Sequence, residues 1–425
     1  MKRHIETDCV QGAYEPKNGE PRVIPIIQST TFKYESSDEM GELFDLKKSG
    51  YFYSRLQNPT CDLAAAKIAK LEGGVGAMLT ASGQAASFYS IFNIAHAGDH
   101  IVSSSAIYGG TFNLFNVTMR KLGFDFTFVS PRASKEELRA AIRPNTKAIF
   151  GETVSNPSLD VLDISAFAEV AHENGIPLII DNTFATPVMC RPIEFGADIV
   201  IHSTTKYMEG HASTIGGVIV DSGNFDWAQN DKFPELTHPD ESYHGVVYTD
   251  TGKGAYLLKL VAQLQRDFGA VQSPQNAFLL NLGLETLHLR MPRHCENAKK
   301  VAAYLKQNDK ITWVKCAMLE DDEQYALAKK YMPDGTCGVV SFGIKGGREA
   351  AVKFMDSLKL AAIVTHVADA RTCCLHPAST THRQLTDKQL EECGVSPDLI
   401  RFSVGIENAD DIIADIEQAL NRAQA

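Results

Sequence analysis

The chain predicts an α/β fold with two cores, a large domain on a mostly parallel sheet and a smaller α/β domain at the C-terminal end. Three features of the sequence point there. Between about residues 62 and 220, short apolar runs alternate with segments of helical periodicity, the pattern of a parallel sheet covered on both faces. A second, sparser set of strand and helix patterns follows Ser273. A length of 425 residues is too great for one core of ordinary size.

Residues 1–61 read as an irregular arm, with Pro16, Pro21, Pro25 and Pro59 as breakers. A helix over 63–71 stops at Gly73-Gly74, and a strand over 77–80 leads to a helix over 84–95 that ends near Gly98. Strand 100–103, helix 111–122 closed by Gly123, strand 124–129, helix 135–142, strand 148–150, helix 164–174 closed by Gly175 and strand 177–180 follow in turn. Apolar runs at 198–201 and 217–220 supply two more strands. The stretch 222–260 holds FDWAQNDKFPELTHPDESYHG, dense in aromatics and turn formers, and reads as a surface insertion at a subunit contact. Beyond Ser273 come strands at 311–315, 337–343, 371–375 and 400–404 and helices at 348–357 and 409–421. The division this gives is an arm (1–61), a large domain (62–262) and a C-terminal domain (263–425).

Composition narrows the function classes. Apolar and charged fractions of 44% and 22% are those of a soluble globular protein. A net charge of -11, from 41 basic and 52 acidic residues, does not describe a nucleic-acid surface. No apolar run is long enough for a membrane span, and the opening MKRHIETDCVQG lacks the apolar core of a secretory signal. The nine cysteines are scattered, odd in number and without a C-x-x-C pair, which argues against a disulfide framework or a zinc site and for a reducing cytoplasm.

In sheets of this kind, sites form beyond the carboxyl ends of the strands. Lys206 sits there, after strand 198–201 and behind Ser203 and Thr205. Such a lysine is commonly a solvated loop residue, but with a lowered pKa it forms a Schiff base with a carbonyl cofactor. The two hydroxyls are either ordinary strand-end caps or donors to a phosphate. Asp181 closes the strand 177–180, either as a turn residue or as the partner of the protonated ring nitrogen of pyridoxal phosphate. Ser82-Gly83-Gln84 opens a helix, where amides and the helix dipole favour phosphate. Tyr108, ahead of Gly109-Gly110, can stack on a cofactor ring, and Asn156 can bond its ring hydroxyl or serve an Asn-Pro turn. Tyr53 and Arg55 are a surface pair or, through the arginine fork, a phosphate contact. Arg401 lies among Ile400, Phe402 and Val404 and needs a carboxylate, internal or a substrate's.

Taken in order, these stretches resemble the pyridoxal-phosphate-dependent Cys/Met metabolism (trans-sulfuration) enzymes. The likeness runs from PIIQSTTF (25–32) to RFSVGIEN (401–408) through YSRLQNPT, LEGG, SGQAA, YGGTFNLF, ETVSNP, DNTFATP, HSTTKYMEGH and HPASTTH. It implies the aspartate-aminotransferase-like, fold type I architecture, with 62–262 binding the cofactor and the arm contacting a neighbouring subunit. It implies that Lys206 bonds pyridoxal 5'-phosphate and shuttles protons, that Asp181 pairs with the ring nitrogen and that Tyr108 stacks on the ring. Gly83, Gln84, Ser203 and Thr205 would hold the phosphate. Tyr53 and Arg55 would reach the neighbouring subunit's cofactor, with Tyr108 and Tyr53 beside Lys206 in the catalytic set. Arg401 would bind the substrate α-carboxylate, with Asn156 and His366 on the substrate side.

YGGTFNLF, the 225–247 insertion and HPASTTH direct the resemblance to the O-acetylhomoserine sulfhydrylase branch. The activity implied is replacement of the γ-acetate of O-acetylhomoserine by sulfide or methanethiol, giving homocysteine or methionine in a cytoplasmic homotetramer of dimers. Cystathionine γ-synthase and the γ-lyases are the alternatives. Two positions depart from the family. Methionine γ-lyases typically carry Cys where this chain has Gly110, which weakens the lyase alternative. His366-Val367-Ala368 replaces the Ser-Leu-Gly or Asn-Val-Gly of many relatives, which puts substrate preference in question.

Overall fold

The computed structural model describes residues 3–380, 383 and 395–424. Among these residues twelve strands form two sheets. The large one contains β1 (Gly76–Thr80), β2 (His100–Ser104), β3 (Asp125–Val129), β4 (Thr146–Glu152), β5 (Leu178–Asp181), β6 (Ile199–His202) and β7 (Gly217–Asp221), in the order β1-β7-β6-β5-β4-β2-β3. Strands β3, β2, β4, β5 and β6 are parallel neighbours, while β7 runs antiparallel to both β6 and β1. Only β7 is therefore reversed, and the carboxyl ends of the other six open on one edge.

The small sheet contains β8 (Ile311–Lys315), β9 (Val339–Ile344), β10 (Ala362–Ile363), β11 (Cys373–Leu375) and β12 (Leu399–Ser403), in the order β10-β11-β12-β9-β8. Its pairs are antiparallel except β10 with β11. One continuous apolar core joins the two sheets, from Ile149, Ile179 and Val200 to Val340, Phe342 and Phe402. Among the described residues no helix is long and apolar enough to cross a membrane, and the eight described cysteines are all free.

The structure corrects the sequence reading in several places. The arm is not wholly irregular. It contains helices Ile5–Gln11 and Ser37–Phe44. Pro59 starts a helix instead of breaking one: it occupies the first turn of Pro59–Glu72, where its missing N–H costs nothing, behind an Asn58 cap. That helix ends where Gly73 takes φ +84°, a left-handed conformation natural to glycine. The 222–260 stretch is not a surface insertion. Phe225, Trp227 and Phe233 are buried, packing edge to face, and Trp227 stacks on Tyr256 with centroids 5.2 Å apart. Turn formers obscured that apolar payload. Finally, β4 continues past residue 150 to Glu152, which delivers a further acid to the open edge.

Candidate active site

A cavity of ≈ 230 Å³ lies at the carboxyl edge of the large sheet. Its walls come from the turns after β1 (Ser82, Gly83, Gln84), β2 (Tyr108), β4 (Glu152, Asn156), β5 (Asp181, Thr183) and β6 (Ser203, Thr205, Lys206), and from Thr365, Val367 and Arg401 of the C-terminal part. Parallel strands make this convergence automatic, because each ends at the same level.

One end is built for an anion. Helix Gly83–Phe92 points its N-terminus at the cavity, and the Ser82 hydroxyl caps it by accepting from the Ala85 N–H at 3.1 Å. The Gly83 and Gln84 amides stay available for an anion. Gly83 has no alternative here, since a Cβ would lie 2.6 Å from the Ser203 Cβ. The Ser203 hydroxyl has no partner among the described residues, whereas Thr205 Oγ1 donates to the Gly216 carbonyl at 3.2 Å and accepts from its N–H at 3.1 Å. Thr205 must rotate its hydroxyl to serve a phosphate, keeping the Gly216 N–H as its fixed bond.

The middle is acidic. Asp181 Oδ1 accepts from the Thr183 N–H at 3.0 Å and from the Thr183 hydroxyl at 2.5 Å, leaving Oδ2 without a donor among the described residues. Glu152 stands beside it, in register across β4 and β5, and accepts from the Tyr108 N–H at 2.6 Å. Burial pushes both carboxyls up. At Asp181 the Thr183 bonds and His202 oppose the rise, whereas at Glu152 the Asp181 charge adds to burial and drives it well up. The pair thus resists carrying two charges, and the Thr183 bonds favour the charge on Asp181. Behind them His202 Nε2 lies 2.6 Å from Glu72 Oε1, and Asn182 Nδ2 donates to the same oxygen at 2.9 Å, all three side chains being buried.

At the other end is Lys206. Burial and the nearby Arg401 guanidinium lower its amine from 10.5 to about 8, so a useful share is neutral near pH 7 to 8. Arg401, on β12, donates to Asn156 Oδ1 at 3.3 Å and to the Thr365 and His366 carbonyls at 3.3 and 3.0 Å, while its buried Nε has no partner among the described residues. A buried guanidinium facing a cavity with a spare N–H suits a substrate carboxylate.

The sequence assigned no role to the neighbours of Lys206, and the structure does. The Tyr207 hydroxyl, fully buried, accepts from the Gly338 N–H at 2.8 Å, just ahead of β9. Thr204 is buried with its hydroxyl against Gly216, and His211 Nδ1 lies 2.7 Å from the Glu209 carbonyl, closing the turn.

Two expected groups stand differently. His366 is not part of the cavity lining. Its Nδ1 lies 3.4 Å from Lys206 Nζ instead. Tyr53 and Arg55 do not approach this chain's Lys206. They line a separate cavity with Tyr243 and Arg266, the Arg55 guanidinium bonding the Arg266 carbonyl and lying 5.3 Å from the Tyr53 ring centroid. Thr381 and His382 of HPASTTH lie outside the described residues. Glu152, Thr183 and the Glu72–His202 pair went unread in the sequence. The only signal for Glu152 was its place beside ETVSNP, and nothing in the sequence links Glu72 to His202 across 130 residues.

These residues fit pyridoxal phosphate. The amide cradle suits its phosphate, the spare oxygen of Asp181 its protonated ring nitrogen, the exposed Tyr108 ring its face, and the partly neutral amine of Lys206 its carbonyl.

Residues 6–421 match the family of Cys/Met metabolism PLP-dependent enzymes. An O-acetyl-L-homoserine sulfhydrylase of Leptospira meyeri is 45% identical over 98% of this chain and 96% of its own length. A homocysteine synthase of Schizosaccharomyces pombe is 47% identical over 99% of both. A crystal structure of a putative O-acetylhomoserine (thiol)-lyase from Campylobacter jejuni superposes with a TM-score of 0.96 at 36% identity, covering 99% of this chain and 100% of that one. It carries an N'-pyridoxyl-lysine-5'-monophosphate at its position 205. The architecture is thus fold type I, and the chain belongs to the Cys/Met metabolism family of pyridoxal-phosphate-dependent enzymes.

Proposed function

We propose that the chain is an O-acetylhomoserine sulfhydrylase: it replaces the γ-acetate of O-acetyl-L-homoserine with sulfide, or with a small thiol such as methanethiol, giving L-homocysteine or L-methionine and acetate. Relatives bearing the sulfhydrylase and homocysteine synthase names, 45–47% identical over nearly the whole chain, support it. The observation that carries it is Lys206, a half-buried lysine with a lowered pKa, placed between an anion cradle and the Arg401 guanidinium in one cavity.

Pyridoxal phosphate, when bound, supplies the carbonyl that takes up the substrate amine and a ring that withdraws electrons from Cα. Arg401, steadied by Asn156, grips the α-carboxylate and fixes which Cα bond faces Lys206. Lys206, as the neutral amine, takes the Cα proton and returns it at the end of the cycle. Asp181 holds a proton on the ring nitrogen, and Glu152 fixes the loop that carries Tyr108 by accepting from its N–H. Gly83, Gln84, Ser203 and Thr205 hold the phosphate so that these groups meet in register.

The arm (1–61), the cofactor domain (62–262) and the C-terminal domain (263–425) make up the working chain in this reading. Tyr53 and Arg55 serve the neighbouring subunit's phosphate in a cytoplasmic tetramer of two dimers. Their distance from this chain's own cavity supports that role. Against a γ-lyase stands Gly110: a Cβ there would lie 2.5 Å from the Tyr108 ring, so a side chain would displace that ring. Incubating O-acetyl- and O-succinylhomoserine with sulfide, methanethiol or cysteine, and weighing the products, tests the assignment. Homocysteine from the acetyl ester with sulfide is expected. Cystathionine as the sole product, or 2-oxobutyrate from methionine without replacement, overturns it.

A further inference from the structure

His366 has a position that substrate contact does not explain. Its Nδ1 lies 3.4 Å from Lys206 Nζ, and its Nε2 lies 3.6 Å from Asp369 Oδ2. That Nε2 is buried and has no hydrogen-bond partner among the described residues. Asp369 is itself held in place, with Oδ1 accepting from the Arg371 N–H at 2.6 Å. The Arg401 guanidinium donates to the His366 carbonyl at 3.0 Å, which anchors the backbone so that the ring faces the lysine. One tautomer satisfies every contact: Nδ1 offers its lone pair to the lysine, and Nε2–H faces the carboxylate.

We propose that Lys206, His366 and Asp369 form a proton relay in which His366 accepts the proton that Lys206 has taken from substrate. The inference rests on the γ-replacement reading above. That reaction removes a proton from Cα and another from Cβ before the γ-substituent leaves, and a single amine holds only one proton at a time. In the relay the proton leaves Lys206 Nζ, which returns to the neutral amine, and bonds to His366 Nδ1. The resulting imidazolium lies at ion-pair distance from Asp369 through Nε2–H, and the same path runs backwards when product is protonated. No other atom changes its bonding. Burial and Lys206 lower the His366 imidazole, with Arg401 acting in the same sense and Asp369 and Glu209 opposing. The lowering keeps the resting ring neutral with its Nδ1 lone pair free, and it makes the imidazolium a short-lived carrier, since the transfer from Lys206 runs uphill.

His366 is a positioning and proton-accepting residue in this account, not a substrate contact. The test uses the holoenzyme and its His366→Asn, His366→Gln and Asp369→Asn variants. Asp369→Asn keeps the oxygen that accepts from Arg371 and removes the charge facing Nε2. The first readout is independent of turnover: the ring signal of His366 in a proton–carbon NMR titration, identified by its loss in His366→Asn. Its midpoint is expected to fall by at least half a pH unit in Asp369→Asn, and an unmoved midpoint overturns the relay. The second readout is exchange of substrate hydrogens in deuterated water. Wild type is expected to exchange both Cα and Cβ hydrogens, and His366→Asn and His366→Gln to slow Cβ exchange at least tenfold more than Cα exchange. Equal slowing of both, or a change in KM alone, overturns the relay while leaving the sulfhydrylase reading intact. Absence of replacement product in wild type overturns the sulfhydrylase reading itself.

Discussion

Gly83 and Ser203 touch across the cavity at the spot where two turns of the large sheet meet. A Cβ on Gly83 would stand 2.6 Å from the Ser203 Cβ and 2.9 Å from its Cα. Backbone cannot yield there without moving the turn that ends in Lys206. Gly83→Ala is expected to weaken pyridoxal phosphate at least tenfold, about 1.4 kcal/mol, while secondary structure stays intact. Equilibrium dialysis of the cofactor and circular dichroism check this. Unchanged affinity would remove Gly83 from the cradle.

Lys206 gives a pH dependence with a definite sign. Its amine titrates near 8 in the folded chain against an ordinary 10.5. Below pH 8 both states are charged and the folded protein bears the full cost of burying the ammonium. Between 8 and 10.5 the unfolded chain binds more protons, so stability rises with pH. In protein stripped of cofactor, Lys206→Met is therefore expected to gain stability at pH 7, on the order of 3 kcal/mol, with the gain vanishing as pH approaches 10.5. Urea midpoints across pH 7 to 10.5 measure it, and a gain that ignores pH refutes the assignment.

Arg401 should separate binding from chemistry. Arg401→Lys keeps the charge but loses the fork that spans Asn156 and the Thr365 and His366 carbonyls. The KM for O-acetylhomoserine is expected to rise roughly 10- to 100-fold, the worth of a charged hydrogen bond, with a smaller fall in kcat. Steady-state kinetics at saturating sulfide decide it. A fall in kcat alone would place Arg401 elsewhere in the mechanism.

Glu72 is the hidden support of Asp181. It accepts from Asn182, the next residue, and lies against His202 with no exposure at all. Glu72→Ala strands both partners and is expected to cost about 3 kcal/mol of stability, with a lower kcat because Asp181 loses its backing. Glu72→Gln, which can still accept, should recover part of both. Denaturation midpoints beside kcat give the comparison.

The strand ends were legible because their chemistry is local. Lys206 follows Ser203 and Thr205 on one turn, Asp181 closes an apolar run, and the Ser82-Gly83-Gln84 turn opens a helix in plain sequence. What escaped lies in pairings across the chain. Glu152 was missed because β4 was ended two residues short, so its meeting with Asp181, which is a matter of register, could not be read. Tyr207 looked idle because its partner, Gly338, is 131 residues away. Pro59 misled because proline, which kinks or breaks a helix in its interior, is favoured in the first turn. The aromatics of 222–260 misled because turn formers surround them. His366 stood out as a departure from related sequences and was placed on the substrate side, whereas its distance from Lys206 shows only in the fold.

Lys206 and Tyr207 are consecutive in the chain but face different halves of the molecule, one toward the cofactor and the other bonded to the threshold of β9. A ligand that binds only the folded form raises its stability in proportion to the logarithm of its free concentration. With Lys206 in its proposed role as the residue the cofactor bonds, the next residue, Tyr207, ties that stabilisation to the C-terminal sheet through Gly338. Cofactor supply is then expected to set how long each polypeptide survives proteolysis, as well as how fast it works.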